Sequence, residues 1–337
     1  MSGQARPFAD AQTLVVKTMR HLSLAVAVAG VISASSWAQA AEPRPPETEA
    51  SAALVMATDQ KVSPAATVTS AARKRAFLDT PFGQVHYVTE GAGDAVILLH
   101  QTPSSLDQYA EIMPLLARSR RVIAMDNLGF GDSDKPARQL SVEEYGLTVV
   151  QLMDELGITK ASFVGYHTGA FIGIEVATSH PERVDKLVLF EPVYIDDAVR
   201  ENIRAYIRTD FKPFEMKSDG SHLTERWQQV QARSPGMSLD QINRDVLDNM
   251  KSGKASGAGR TLVLNYPMEK RLPLIQSPTF IIWGNQKLPG FPEENKLKVS
   301  QAIPNNRVLN FDGQPNLRVL AGKFAPLILG FLENPGM

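Results

Sequence analysis

The chain has 337 residues, a formal net charge of −1 and no cysteine. Near-neutral charge without a basic stripe argues against a nucleic-acid partner. The lack of cysteine excludes disulfides, thiolate metal sites and lipidated cysteine, while the length allows one large α/β domain with a sizeable core.

The first forty residues read as an export signal. Lys17, Met19 and Arg20 precede an apolar run over 22–32, and small residues follow up to Ala38-Gln39-Ala40, an A-x-A cleavage pattern. The run is shorter than the roughly 20 residues a bilayer-spanning helix needs. A periplasmic or secreted protein is expected, with its mature chain starting near Ala41 and no stable membrane anchor after cleavage. An uncleaved anchor is the alternative, and Met19 is an alternative start. Residues 41–74, rich in Pro, Ala, Thr and Glu, are expected to be a disordered lead-in.

Residues 76–80 and 84–89 read as a strand pair turned by Pro81-Phe82-Gly83. Residues 95–99 form an unbroken apolar run, a fully buried strand, ending at His100-Gln101-Thr102-Pro103. A helix over 109–117 and a strand over 121–125 follow. That strand closes with Asp126-Asn127-Leu128-Gly129-Phe130-Gly131-Asp132-Ser133. Apolar spacing of three and four predicts a helix over 142–156. A strand over 161–164 runs into Gly165-Tyr166-His167-Thr168-Gly169, and 170–179 reads as a helix. The strand over 186–190 is followed by Glu191-Pro192. Residues 195–268 hold amphipathic helices and polar loops without strands. The core pattern returns with strands over 279–283 and 307–311 and a helix over 319–332. Strands alternating with helices imply a mostly parallel sheet with right-handed crossovers.

The segment 165–169 has the outline of a nucleophile elbow, G-x-S-x-G, with histidine in place of serine. The glycines belong there because a strand must turn sharply into a helix, bringing backbone against backbone. Together with Leu98-Leu99-His100-Gln101-Thr102-Pro103, Asp126-x-x-Gly129-x-Gly131-x-Ser133 and Ile282-Trp283-Gly284, it makes the chain from about 75 to 334 resemble the α/β-hydrolase superfamily, especially its haloalkane dehalogenase and epoxide hydrolase-like branch. The resemblance implies an eight-stranded, mostly parallel sheet with a helical cap after the sixth strand. The core would be 75–194 and 269–337, and the cap 195–268. A fold of this kind says little about the reaction.

The resemblance also implies a triad, and the sequence departs from it at each position. The elbow carries His167. After the seventh strand, where an aspartate is usual, the chain reads Gly284-Asn285-Gln286-Lys287. After the eighth, where a G-H pair is usual, it reads Asp312-Gly313-Gln314-Pro315, and the last histidine of the chain is His222. The ordinary triad therefore cannot form. The oxyanion hole of this fold uses one amide after the nucleophile and one from the loop after the third strand, positions held here by Thr168 and Thr102. The elbow helix favours a neutral imidazole, so His167 is expected to act as base or nucleophile near neutral pH.

A carboxylate orienting the ring would help either route. Glu191, after the sixth strand, is the first candidate and Asp126 the second. His222, in Asp219-Gly220-Ser221-His222, is a cap candidate to reach over the pocket, against a plain first-turn residue of a surface helix. His100 and Gln101 are carried as substrate-binding candidates, although in this fold the histidine usually holds the oxyanion loop through a backbone hydrogen bond. His86 and His180 read as surface residues. Two histidines, His100 and His167, without a third ligand make no metal site, and no cofactor is expected. The expected activity is hydrolysis of a small to medium, fairly apolar ester or lactone. The alternatives are a cofactor-free lyase or isomerase using His167 as base, and a catalytically dead protein that holds a small molecule. Dehalogenation is disfavoured, because it needs aspartate at 167 and halide-holding donors, commonly tryptophan at 168.

Overall fold

The computed structural model describes residues 72–209, 215–285 and 294–336. The expected signal and lead-in up to residue 71, and Lys287, lie outside the described residues. The first two strands, β1 (Lys74–Thr80) and β2 (Gly83–Glu90), pair antiparallel across the Pro81-Phe82 turn. Then come β3 (Ala95–Leu99), the short helix α1 (Met113–Leu116), β4 (Arg121–Met125), α2 (Val142–Glu155), β5 (Ala161–Tyr166), α3 (Thr168–Ser179) and β6 (Val184–Phe190). The helix expected over 109–117 is broken: a 3-10 turn over Leu106–Tyr109 precedes α1, which starts at Met113 with Pro114 in its first turn. Proline is tolerated in that turn but not in a helix interior, so the chain restarts there.

After β6 the chain leaves the sheet for α4 (Asp197–Thr209), α5 (Ser221–Arg233), α6 (Leu239–Ser252), α7 (Ala258–Leu264) and α8 (Met268–Arg271). It returns as β7 (Thr279–Gly284), α9 (Glu294–Ala302), β8 (Asn306–Phe311) and α10 (Ala321–Glu333). The eight strands form one sheet in the order β1-β2-β4-β3-β5-β6-β7-β8, and every pairing from β4 through β8 is parallel. Strands β3, β5, β6 and β7 are buried almost throughout, which is why they read as unbroken apolar runs rather than alternating ones. One apolar cluster packs α2 and α3 on one face and another packs α1 and α10 on the opposite face.

The two ends of the helical insertion between β6 and β7 join the main apolar core through Ile195, Val199, Ile203, Leu262, Leu264 and Met268, and polar groups fasten it further. Arg200 of α4 donates to the carbonyls of Leu264 (3.2 Å) and Tyr266 (3.1 Å) and pairs with Glu269, joining the insertion's start to its end. Tyr266 donates to Glu175 of α3 at 2.9 Å. Helices α5 and α6 share a small apolar cluster of their own, Val230, Ile242 and Val246 with Trp227 against it. The face of α6 toward the core carries ions instead. Arg244 pairs with Asp107 (2.6 Å) and Glu111, and Lys251 with Asp132 (2.6 Å). Asp248 receives the buried Arg318 at 3.3 Å. Arg318 also pairs with Asp107.

Candidate active site

The elbow is built by two close approaches. A Cβ on Gly165 would strike the backbone of Gly169, and a Cβ on Gly169 would strike the carbonyl of Leu99. Both glycines are therefore required by space, which lets α3 start immediately above β3 and β5. His167 sits at the apex with φ 45° and ψ −109°. Its amide is held by the carbonyl of Phe190 at 3.0 Å. Glu191, at the end of the neighbouring strand, has φ 52°. Among the described residues these two are the non-glycine positions with positive φ. Such conformations cost energy and persist where surrounding structure over-determines them, commonly at functional sites.

The imidazole of His167 is half-buried and lies edge-on to Tyr166, with ring centroids 5.0 Å apart. Loss of hydration pulls its pKa down to about 4, against a hydrogen bond to the backbone of Glu191 that favours the charged ring. At neutral pH the ring is uncharged. One nitrogen donates to the Glu191 carbonyl and the other keeps its lone pair. The contact is made by the backbone of Glu191, not by its carboxylate. Fully buried, that carboxylate turns away and accepts the amide of Gly284 at 2.5 Å. The sequence had suggested the carboxylate as the orienting group; the positive φ at Glu191 presents the carbonyl to the ring instead.

Thr168 opens α3 and Thr102 lies across from it in the loop after β3. Their hydroxyls meet at 2.9 Å, and the Thr102 amide makes a long 3.4 Å contact to the Thr168 hydroxyl. These are the two residues whose amides are expected from the sequence to form an oxyanion hole. The hydroxyl pair is additional, and the one hint of it in the sequence is that both positions are threonine.

Other candidates have different duties. His100 is fully buried, its Nδ1–H donating to the Gln101 carbonyl at 2.7 Å and its Nε2 accepting the Asn127 amide at 2.9 Å. Both ring nitrogens are thus committed to backbone, which corrects its assignment as a substrate-binding residue. Burial lowers its pKa, keeping it neutral. Gln101 borders a cavity of about 50 Å³ with Tyr166, Gln314 and Arg318. Asp126 is used up: Oδ1 accepts the Leu106 amide at 2.7 Å, and Oδ2 takes the Asp132 amide and Nδ1 of His86, the latter at 2.7 Å. His86 is therefore a buried partner of Asp126, not the surface residue expected from its strand. Its other nitrogen accepts from Arg75 at 3.1 Å. His222 accepts the Lys217 amide through Nδ1 at 3.1 Å, so the ring spans its own helix entrance.

Comparison with known proteins agrees with this architecture. The chain matches the family described as alpha/beta hydrolase fold over residues 94–315. It is 37% identical over 119 residues to 2-hydroxymuconate semialdehyde hydrolase of Pseudomonas sp. (strain CF600), covering 34% of this chain and 42% of that protein. The first relatives are thus matched over about half their length or less. Identity to a 2-hydroxy-6-oxononadienedioate/2-hydroxy-6-oxononatrienedioate hydrolase of Pseudomonas putida is 28% over 279 residues, covering 74% of this chain and 92% of that one. Among solved structures, the enol-lactonase from Burkholderia xenovorans LB400 superposes with TM-score 0.62 at 22% identity, covering 77% of this chain and 100% of that chain. With the sheet order, the strained elbow and a family match over residues 94–315 in agreement, the chain belongs to the alpha/beta hydrolase fold family.

Proposed function

We propose that this chain is a hydrolase of a small to medium, fairly apolar ester or lactone that works without a serine nucleophile. The observation that carries the reading is a neutral imidazole on a strained elbow, next to Thr168 and its neighbour across the loop, Thr102, whose amides this reading takes as the oxyanion donors. Donors of that kind matter for a reaction in which negative charge develops on a carbonyl oxygen. His167 either attacks the acyl carbon through its lone pair or takes a proton from the attacking water. In both routes the carbonyl oxygen moves toward the amides of Thr168 and Thr102. In the first, the tetrahedral adduct breaks its C–O bond, the alcohol leaves with a proton from water, and the remaining acyl-imidazolium is cleaved by a second water to give the acid, neutral imidazole and a proton returned to solvent. In the second, water adds directly and the alcohol leaves.

The orienting group is a backbone carbonyl, which aligns the ring but carries no full charge to stabilise an imidazolium. A slower enzyme than one with a carboxylate in that place follows. The same observation favours a second reading, a protein that binds an apolar small molecule without turning it over. The mature protein and His167→Ala should be assayed together on activated esters and lactones. The hydrolase reading requires turnover that falls on the order of 10²–10⁴-fold in the variant, and no labelling by serine-directed phosphonates. Labelling, or turnover that survives the substitution, rejects it. No turnover by either protein, with ligand binding retained, favours the second reading. The A-x-A pattern ending at Ala40 supports export to the periplasm or beyond.

A further inference from the structure

Helix α7 of the insertion meets the elbow through a glycine. A Cβ on Gly259 would run into Oγ1 of Thr102, with Thr102 Cβ at 3.2 Å and Thr168 Oγ1 at 3.3 Å. These are the threonines whose amides form the proposed oxyanion hole. The backbone at Gly259 is helical, where alanine is the better residue. Neither propensity nor conformation asks for glycine there; the space does. The residues leading to it, Ala255-Ser256-Gly257-Ala258, are all small.

We propose that Gly259 is a specificity-determining residue. Through it the insertion sets the room left beside the amides of Thr102 and Thr168 for the chain attached to the substrate carbonyl. The proposal rests on the hydrolase reading for what fills that room, while the contact itself stands on geometry. A methyl group at 259 takes space from the substrate chain, so long acyl chains lose more than short ones. It also presses on the Thr102 hydroxyl, so removing that hydroxyl makes room for it. Thr102→Ala keeps the backbone amide and removes Oγ1.

The test is a double-mutant cycle of Gly259→Ala and Thr102→Ala on the mature protein. Melting temperature is read first. Gly259→Ala is expected to lower it by about 4 °C, and by clearly less in the Thr102→Ala background. Selectivity is read second, as kcat/KM for p-nitrophenyl acetate against p-nitrophenyl hexanoate. It is also read without turnover, as Kd for acetamide against hexanamide. Gly259→Ala is expected to cost the six-carbon member at least about tenfold more than the two-carbon member, the scale on which a pocket discriminates by added methylenes. Equal losses at both chain lengths, or a melting penalty identical in the two Thr102 backgrounds, overturn the proposal. Amide selectivity that shifts as stated, with no ester turnover by any form, overturns the hydrolase reading and leaves Gly259's role in place.

Discussion

At the residue scale, the proposed site rests on a histidine that is kept neutral. A depressed folded-state pKa has a definite sign. The folded protein takes up the His167 proton only near pH 4, while the unfolded chain takes it up around the ordinary 6.5. The stability contribution is whole above 6.5 and is lost as pH falls from there toward 4. Activity that needs the neutral ring should follow the folded value. A pH–rate profile is expected to stay level from neutral into mild acid and to drop as pH approaches 4; a drop centred near 6.5 would show the ring to be hydrated and ordinary. The sequence expects a neutral His167 from its seat at a helix start, whereas the lowered pKa comes from loss of hydration, which depends on the packed surroundings. Its partner was not legible, because whether Glu191 offers carbonyl or carboxylate depends on one backbone φ. The elbow glycines were legible for a physical reason, since nothing larger fits against the Gly169 and Leu99 backbones. Gly169→Ala is expected to destabilise the fold by about 2–3 kcal/mol, the scale of forced overpacking, as measured by chemical denaturation.

At the element scale, α6 is held to the core by charge and α5 by α6's apolar side. Arg318 is the centre of this contact, buried among Asp107, Asp245 and Asp248. Removing it takes the ion-pair partner from Asp245 and Asp248, while Asp107 keeps Arg244, and Arg318→Ala should cost about 3–5 kcal/mol in an unfolding titration. Asp248 behaves in the opposite sense to an ordinary ion-pair acid. Burial, only partly offset by the Ser105 hydrogen bond and by Arg318, raises its pKa to about 6. The folded state then holds a proton that the unfolded chain has already lost, so ionised Asp248 costs stability above pH 6 and the cost fades as pH falls toward its ordinary value. Asp248→Asn should gain stability over the wild type above pH 6 and lose that gain in acid; a pH-independent difference would contradict this. None of these pairings was visible in the chain, because Arg318 is separated from its carboxylates by 70 to 211 positions.

At the scale of the whole molecule, the order of strands and helices followed from the alternation of apolar runs with amphipathic segments. A sheet covered on both faces forces that pattern on any chain that builds it. Mapping the mature N-terminus by Edman sequencing of the exported protein is expected to give Ala41; a chain still starting at or before Met19 would reject the cleavage proposal. What the amino-acid sequence determined by itself was local: strand and helix periodicity, the glycines of the elbow, and the absence of any histidine after residue 222. These depend on neighbours a few residues apart, or on simple presence and absence. What only the tertiary structure decided was which polar groups face each other. It committed His100 to backbone, gave Asp126 to His86, turned the Glu191 carboxylate onto Gly284 and set Gly259 against Thr102. Buried polar groups must find partners wherever the packed chain supplies them, and segments far apart in sequence supply most of those partners here.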